Sequence, residues 1–394
     1  MLSVIKILVL TTLFPNARQP VHGVFVENRL RHLLSSGQVT ARVMAPVPWF
    51  PFTAKIFGNY SISPGIPRTE TRHGIEVAHP QFPTIPKIGM SVAPWLMYWA
   101  LKPHLLAEIR AGNDFDLIDA HYFYPDGVAA VHLARALSKP IVITARGTDL
   151  NLIADYAVPR SQIRWAAARA DGMITVCQAL KDRLVALGTA PDRVDVLRNG
   201  VDLEKFRPMD RDAARAELGL RRRTLLSVGY LIPRKGHDLV IRALATLPET
   251  DLLIAGDGPD RDKLEHLAES LGLAARVRFL GQVAHDDLPR IYTAADTMVL
   301  ASSREGWANV LLESMACGTP VVATNVWGTA EAVTGPAAGI LANERSPEAL
   351  AAAIGELLAG LPRRADTRAY AEQFSWDDTT QGQIDLFQRV LAHR

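Results

Sequence analysis

Short, predominantly apolar runs alternate with amphipathic helical patterns from one end of this chain to the other, and that alternation limits the fold more than any other feature. The candidate strands are Ile5–Leu10, Val39–Ala45, Leu117–Ala120, Ile141–Thr144, Met173–Val176 and Val194–Leu197, followed by Leu225–Val228, Leu252–Ala255, Val277–Leu280, Met298–Leu300 and Val321–Ala323. These runs are predominantly apolar, with no sustained alternation of polar residues, which suits strands of parallel sheets covered by helices on both faces. Helical patterns fall between them, at Val24–Ser35, Gln178–Leu187, Asp238–Leu247, Arg261–Leu271 and Asn309–Ala316. A repeated strand–helix order specifies a doubly wound α/β fold.

The chain has 394 residues, beyond the roughly 250–300 at which a single core stops growing. Two Rossmann-like domains are therefore expected, facing across a cleft. The boundary falls in Phe206–Arg223, a charged stretch containing Pro208 and ending in three arginines. This gives an N-terminal domain of residues 1–205 and a C-terminal domain of residues 206–374. Residues 375–394 follow, with Ser375 placed to cap a helix whose apolar positions recur at Ile384, Phe387, Val390 and Leu391. Ligands of such sheets bind beyond the carboxyl ends of the strands, so the loops that leave those ends carry the chemistry.

With 48% hydrophobic and 21% charged residues the chain is an ordinary folded protein, and a net charge of +2 gives no concentrated basic face for nucleic acid. The two cysteines, Cys177 and Cys317, sit in apolar surroundings without metal-ligand spacing, which reads as buried thiols in a reducing compartment. No apolar run approaches the ~20 residues of a membrane span, and the N-terminal run is short and interrupted by Lys6. A cytoplasmic protein is expected, with room for peripheral contact to the inner face of the cell membrane. Residues 46–104 break the rhythm: Trp49, Phe50, Phe52, Trp95, Tyr98 and Trp99 lie among Lys55, Lys87 and Lys102. Two readings stand side by side, a packed irregular subdomain and a lid or lipid-facing surface.

The richest loop follows Met298–Leu300. Glu305 and Gly306 lie in it, a helix opens near Asn309 and Val310, and Glu313 is one turn further on, before the turn Gly318-Thr319-Pro320. A helix N-terminus at a strand's carboxyl end offers backbone N–H groups and a positive dipole end to a phosphate. Glu313 can accept hydrogen bonds from two vicinal hydroxyls, as in a ribose, and Glu305 from those of a transferred sugar. A second loop runs from Gly229 to Gly236 and places Arg234 and Lys235 at a helix mouth, where they can neutralise a diphosphate without a metal. In the N-terminal half, His121 stands just past a strand and can titrate near neutral pH. Arg146 and Asp149 follow the next strand, and Gly23 lets backbone amides approach an anion. Three Asp-x-Asp pairs, Asp114/Asp116, Asp210/Asp212 and Asp260/Asp262, sit at strand or helix starts and in polar linkers, and read as structural; no metal site is expected.

The stretch Glu305, Gly306, Asn309, Glu313, Gly318 and Pro320 resembles the signature of family-4 retaining glycosyltransferases, glycosyl transferases of group 1 with the GT-B fold. Nearly the whole chain shares the resemblance, and TARGTDLN at residues 144–151 is similar to members that build exopolysaccharide or teichuronic acid. The resemblance implies that Glu305 and His121 contact the donor sugar, Glu313 the ribose, and Lys235 the diphosphate. Arg146 and Asp149 are read as an acceptor-side loop, and the last helix as crossing back to the N-terminal domain. One departure stands out. Tyr230 occupies the place of the family's phosphate-binding arginine just after Gly229, a charge Arg234 is positioned to supply. The expected reaction moves a hexose-type unit from a nucleoside diphosphate sugar, with uridine taken as the base, to a hydroxyl of a lipid-linked or growing glycan. The donor is a co-substrate, and no cofactor is expected. A sugar-nucleotide epimerase of the same fold and a catalytically silent nucleotide-sugar-binding subunit are the alternatives.

Overall fold

In this computed structural model, which describes residues 4–50, 65–85 and 89–393, the apolar runs become the inner strands of two sheets. The first part of the chain forms β1 (Ile5–Leu10), β2 (Val39–Met44), β3 (Val47–Trp49), β4 (Thr69–Arg72), β5 (Ile75–Ala78), β6 (Gln81–Pro83), β7 (Leu117–His121), β8 (Ile141–Ala145), β9 (Gly172–Thr175) and β10 (Val194–Val196). Eight of them make one sheet in the order β10-β9-β8-β7-β1-β2-β5-β4, parallel except for the antiparallel β4–β5 pair at the edge, while β3 pairs with β6. The second part forms β11 (Arg223–Val228), β12 (Thr250–Ala255), β13 (Val277–Gly281), β14 (Thr297–Leu300), β15 (Val321–Thr324) and β16 (Gly339–Ala342). These lie in the order β13-β12-β11-β14-β15-β16, with every neighbouring pair parallel. That is the 3-2-1-4-5-6 order of nucleotide-binding sheets, whose direction reverses at a switch point between the first and fourth strands. Here the switch point separates β11 from β14. In the first sheet it separates β1 from β7.

The chain divides into two compact units, Met1–Arg198 with Asp377–Arg394, and Asn199–Trp376. The division falls seven residues before the expected 205/206 boundary, for a local reason. The Asn199 carbonyl accepts the Trp307 indole N–H at 3.0 Å, and the Val201 N–H donates to Phe374 O at 2.9 Å. Residues 199–205 are thus held by the second unit, although the polar linker comes only after them. The last helix, Trp376–Ala392, buries Ile384, Phe387 and Val390 in the same apolar cluster as Ile7, Val9, Val26 and Leu30 of the first unit.

Two kinds of element escape the sequence pattern. β4 is wholly polar and β5 alternates apolar with polar residues, as an edge pair with a wet face does, and so both lack the predominantly apolar signal. Within the region expected to be irregular, Gly89–Arg110 forms one long helix despite Pro94 and Pro103 inside it. Proline at 94 cannot donate to the carbonyl four residues back. The Tyr124 hydroxyl donates to that Met90 carbonyl instead. Phe52, Lys55 and Lys87 lie outside the described residues.

Candidate functional site

The loops leaving β11 and β14 meet at the switch point of the second sheet. They are fixed by backbone contact: Gly236 has φ 71°, and a Cβ there would lie 2.2 Å from Ala301 O. Arg345 ties the same two loops from the other side, donating from Nε to Ala301 O at 2.9 Å and from Nη2 to Pro233 O at 3.2 Å. A Cβ on Gly256 would lie 1.9 Å from Gly229 O, so the Gly256-Asp257-Gly258-Pro259 turn packs backbone to backbone against the β11 loop.

This framework brings together the residues expected to bind a donor. Lys235 Nζ donates to Glu305 Oε1 at 2.7 Å, and Arg234 Nη1 lies 3.3 Å from Glu305 Oε2. Ser302 Oγ also donates to Oε1, at 2.6 Å. Burial pushes the Glu305 carboxyl toward protonation, but the Lys235 and Arg234 charges and these hydrogen bonds outweigh it and hold the group below its usual range. Lys235 and Arg234 remain partly exposed while Glu305 is buried. An ammonium has three N–H donors and a guanidinium five. Both cations can therefore hold Glu305 and still offer donors to a phosphate. Tyr230 is exposed at the start of the same loop.

Glu313 sits in the helix Asn309–Ala316, whose first turn holds Asn309 and Val310, both half-buried, just after the buried Gly306. Its Oε2 accepts from the Tyr292 hydroxyl at 3.0 Å, and its Oε1 lies 3.5 Å from His285 Nε2. Tyr292 is wholly buried; that burial, then the Glu313 charge, pushes its phenol far up. The Gly-Thr-Pro turn acts behind this pair: Thr319 Oγ1 donates to Tyr292 O at 2.6 Å and accepts from Arg364 Nη2 at 2.6 Å. Neither Tyr292 nor Ser302 was expected from the sequence. Tyr292 carries no local signal because its partner lies 21 residues away. Ser302 stands three residues before Glu305 and was within reach of a closer reading.

The N-terminal candidates are arranged differently. His121 ends β7 at the switch point of the first sheet, and it is buried. Arg146 Nη2 lies 2.5 Å from His121 Nδ1. A guanidinium only donates, which assigns the ring proton to Nε2, 3.1 Å from Asp119 Oδ2. Asp119 Oδ2 also accepts from Gln383 Nε2 at 2.8 Å, and Gln383 Oε1 accepts from Arg29 Nε at 2.8 Å. Burial is the main cause of a His121 pKa of about 4, with the Arg146 and Arg29 charges adding to it against Asp119. The expectation of titration near neutral pH is corrected: the imidazole is neutral there, and both nitrogens face protein partners.

Asp149 is likewise a correction. It was expected on the acceptor side, but it is fully buried and accepts from the backbone N–H groups of Phe123, Arg146, Gly147 and Leu150 at 2.7–3.2 Å. It holds the His121–Phe123 corner against the next loop, including Tyr122 at φ 84°. Arg146 is buried as well, with its guanidinium 5.7 Å from the Phe25 ring. Gly23 has φ 69° and caps the helix Val24–Ser35, and a Cβ there would lie 2.3 Å from Leu13 O; close chain approach accounts for it. Four of the six Asp-x-Asp carboxylates have protein partners: Asp114 pairs with Lys139, Asp116 accepts from Lys6 N, Asp210 caps a helix and Asp260 pairs with Lys263. Among the described residues no group of three or more His, Cys, Asp or Glu is placed to hold a metal ion. No described helix is long and apolar enough to cross a membrane.

Comparison with known proteins places these arrangements. The family described as "Glycosyl transferases group 1" matches residues 210–374, and "Glycosyltransferase Family 4" matches residues 56–205. A curated relative, the D-inositol 3-phosphate glycosyltransferase of Salinispora tropica, is 34% identical over 326 residues, 73% of this chain and 66% of the relative. Across the curated relatives of that name the match spans 62–68% of their length. Among solved structures, sucrose-phosphate synthase from Thermosynechococcus elongatus aligns with a TM-score of 0.80 at 21% identity, covering 99% of each chain. Anabaena HepE in complex with UDP aligns with a TM-score of 0.74 at 21% identity, covering 98% of this chain and all of that one. At that identity the two structures establish the fold, two Rossmann-like units of the GT-B class. The family matches in both units and the relatives above 30% identity go further: the chain belongs to the group 1, family-4 glycosyltransferases.

Proposed function

We propose that this protein is a retaining glycosyltransferase that moves a hexose-type unit from a nucleoside diphosphate sugar to a hydroxyl acceptor, without a metal. The observation that carries the reading is Glu305, held by Lys235 and Arg234 at the β11/β14 switch point, with Glu313 oriented on the next helix. Lys235 and Arg234 take the negative charge that grows on the departing diphosphate. Glu305 keeps these cations in place and receives hydroxyls of the transferred sugar, while Glu313 receives those of the ribose. The bond from the anomeric carbon to the diphosphate oxygen breaks, the bond to the acceptor oxygen forms on the same face, and the acceptor's proton passes to the leaving phosphate. The protein contributes positioning and electrostatic stabilisation. Uridine is the proposed base, supported by the UDP bound in a structural neighbour.

The acceptor is proposed to be a lipid-linked or growing glycan of the cell surface, used by a cytoplasmic enzyme at the inner face of the membrane. Two buried free cysteines fit a reducing compartment. The name of the curated relatives favours a second acceptor, a phosphorylated inositol. A thermal-shift screen of nucleotide sugars selects the donor. Acceptor-dependent release of nucleoside diphosphate, with a chelator present, then tests the reaction against both acceptors. Conversion of donor with no acceptor identifies an epimerase, and donor binding without turnover identifies a silent subunit; either result rejects the proposal.

A further inference from the structure

The helices Gly89–Arg110, Val128–Leu137 and Ala157–Ala167 of the first unit lie side by side. His132 of the middle helix is sandwiched between Trp95 and Trp165, with ring centroids 4.1 and 4.2 Å away, and the Arg169 guanidinium lies 4.8 Å from the Trp165 ring. Gln162 Nε2 donates to Ser91 O at 3.1 Å, which ties the middle of the third helix to the start of the first. Their outer face is unusual in two respects. Trp99 is 65% exposed and Trp95, one helical turn before it, is 45% exposed, with Met90, Tyr156 and Val158 also open to solvent. The three helices carry Lys102, Arg110, Arg135, Arg160 and Arg164 against a single acidic residue, Glu108, which is held by Arg42 and Asn113 at the far end. Arg135 and Arg164 have no carboxylate partner among the described residues, in a chain whose net charge is only +2.

Exposed indoles beside cations that outnumber the acidic residues of the three helices match an anionic lipid surface on both counts. Indole rings settle at the headgroup level, and basic side chains are drawn to anionic headgroups. We infer that this three-helix face docks on an anionic bilayer, with Trp95 and Trp99 entering the interface and Arg135, Arg164 and Arg169 meeting the headgroups. The inference deepens the peripheral-contact part of the proposed function and does not depend on the donor chemistry.

Flotation of the full chain with phosphatidylcholine vesicles and with vesicles containing phosphatidylglycerol tests it, with no nucleotide sugar present. The protein is expected to float with the anionic vesicles at low salt, to be released by salt, and to stay behind with neutral ones. Arg135→Gln and Arg164→Gln are each expected to weaken binding about fivefold, the value of one surface cation. Trp99→Ser is expected to reduce it further. These three residues are exposed and hold no buried partner, so the variants are expected to keep the wild-type melting temperature and nucleotide-induced thermal shift. Loss of that shift in the wild type strikes at the donor reading and leaves this one standing. Failure of the wild type to float with anionic vesicles overturns the inference. So does undiminished flotation of the Trp99 and arginine variants, or a dimer that Trp99→Ser dissolves in a protein that ignores vesicles.

Discussion

The two switch points carry similar residues in different states. At the β11/β14 reversal, Lys235 and Arg234 share one buried carboxylate and keep donors facing solvent. At the β1/β7 reversal, His121, Asp119, Arg146 and Asp149 are all buried and bond to one another, to Gln383 or to the backbone. Both sets lie where a ligand is expected for this topology. Position alone does not make a binding residue; a polar group also needs hydrogen-bonding capacity that the protein leaves unused. On that criterion the partly exposed Lys235 and Arg234 are the groups the proposed function assigns to the donor's diphosphate. In the first unit the corresponding charged residues are buried and hydrogen-bonded mainly within the protein.

The sharpest way to break this comparison is to remove one group from each set. Lys235→Ala or Glu305→Ala is expected to lower donor turnover per folded molecule about 10²–10³-fold, the usual loss for one preorganised electrostatic contact. Asp149→Ala is expected to do the reverse. It strips four backbone N–H groups of their acceptor and should cost about 3 kcal/mol or more in urea unfolding. Turnover per folded molecule should stay within a few-fold of wild type.

The pH dependence of stability tests the buried state of groups in the first unit next. The folded pKa of His121, about 4, lies below its ordinary 6.5. The unfolded chain therefore takes up the proton first, and the stability His121 contributes is full above pH 6.5 and lost as pH falls toward 4. Asp126 works in the opposite direction. Burial raises it to about 8, so its contribution is full below 3.8 and is lost as pH rises through 8. Thermal melts of His121→Gln and Asp126→Asn should each flatten one of these limbs. The pH–rate profile should show no limb from His121 near neutrality.

Two smaller effects refine the donor side. Tyr292→Phe removes the hydroxyl that aims Glu313. It is expected to raise the donor KM up to about tenfold, the worth of one hydrogen bond to a charged group, with kcat nearly unchanged in steady-state kinetics. Tyr230→Arg restores a cation at an exposed position, and should raise kcat/KM by no more than about fivefold, as expected for a solvent-screened charge.

Much of this was legible in the sequence. Predominantly apolar runs marked the parallel strands, because burial on both faces leaves few polar positions. The same rule hid the edge pair Thr69–Arg72 and Ile75–Ala78, which keeps one face wet. The helix Gly89–Arg110 was hidden by Pro94 and Pro103, whose disruption is offset at Met90 by a hydroxyl from Tyr124, remote in sequence. In the site, Glu305 and Lys235 were visible because each sits in a loop of distinctive local pattern. Tyr292 was not, since its role depends on a contact between two helices. His121 and Asp149 were visible as residues but not as states: sequence shows which groups follow a strand, whereas burial and partners decide whether they remain free to act.

The most direct test is acceptor-dependent release of nucleoside diphosphate, measured per folded molecule for wild type, Lys235→Ala, Glu305→Ala and Asp149→Ala with the donor and acceptor selected by screening. The account predicts that the first two substitutions reduce release about 10²–10³-fold, while Asp149→Ala keeps nearly normal turnover in the fraction that remains folded. Near-normal release from both Lys235→Ala and Glu305→Ala would contradict it.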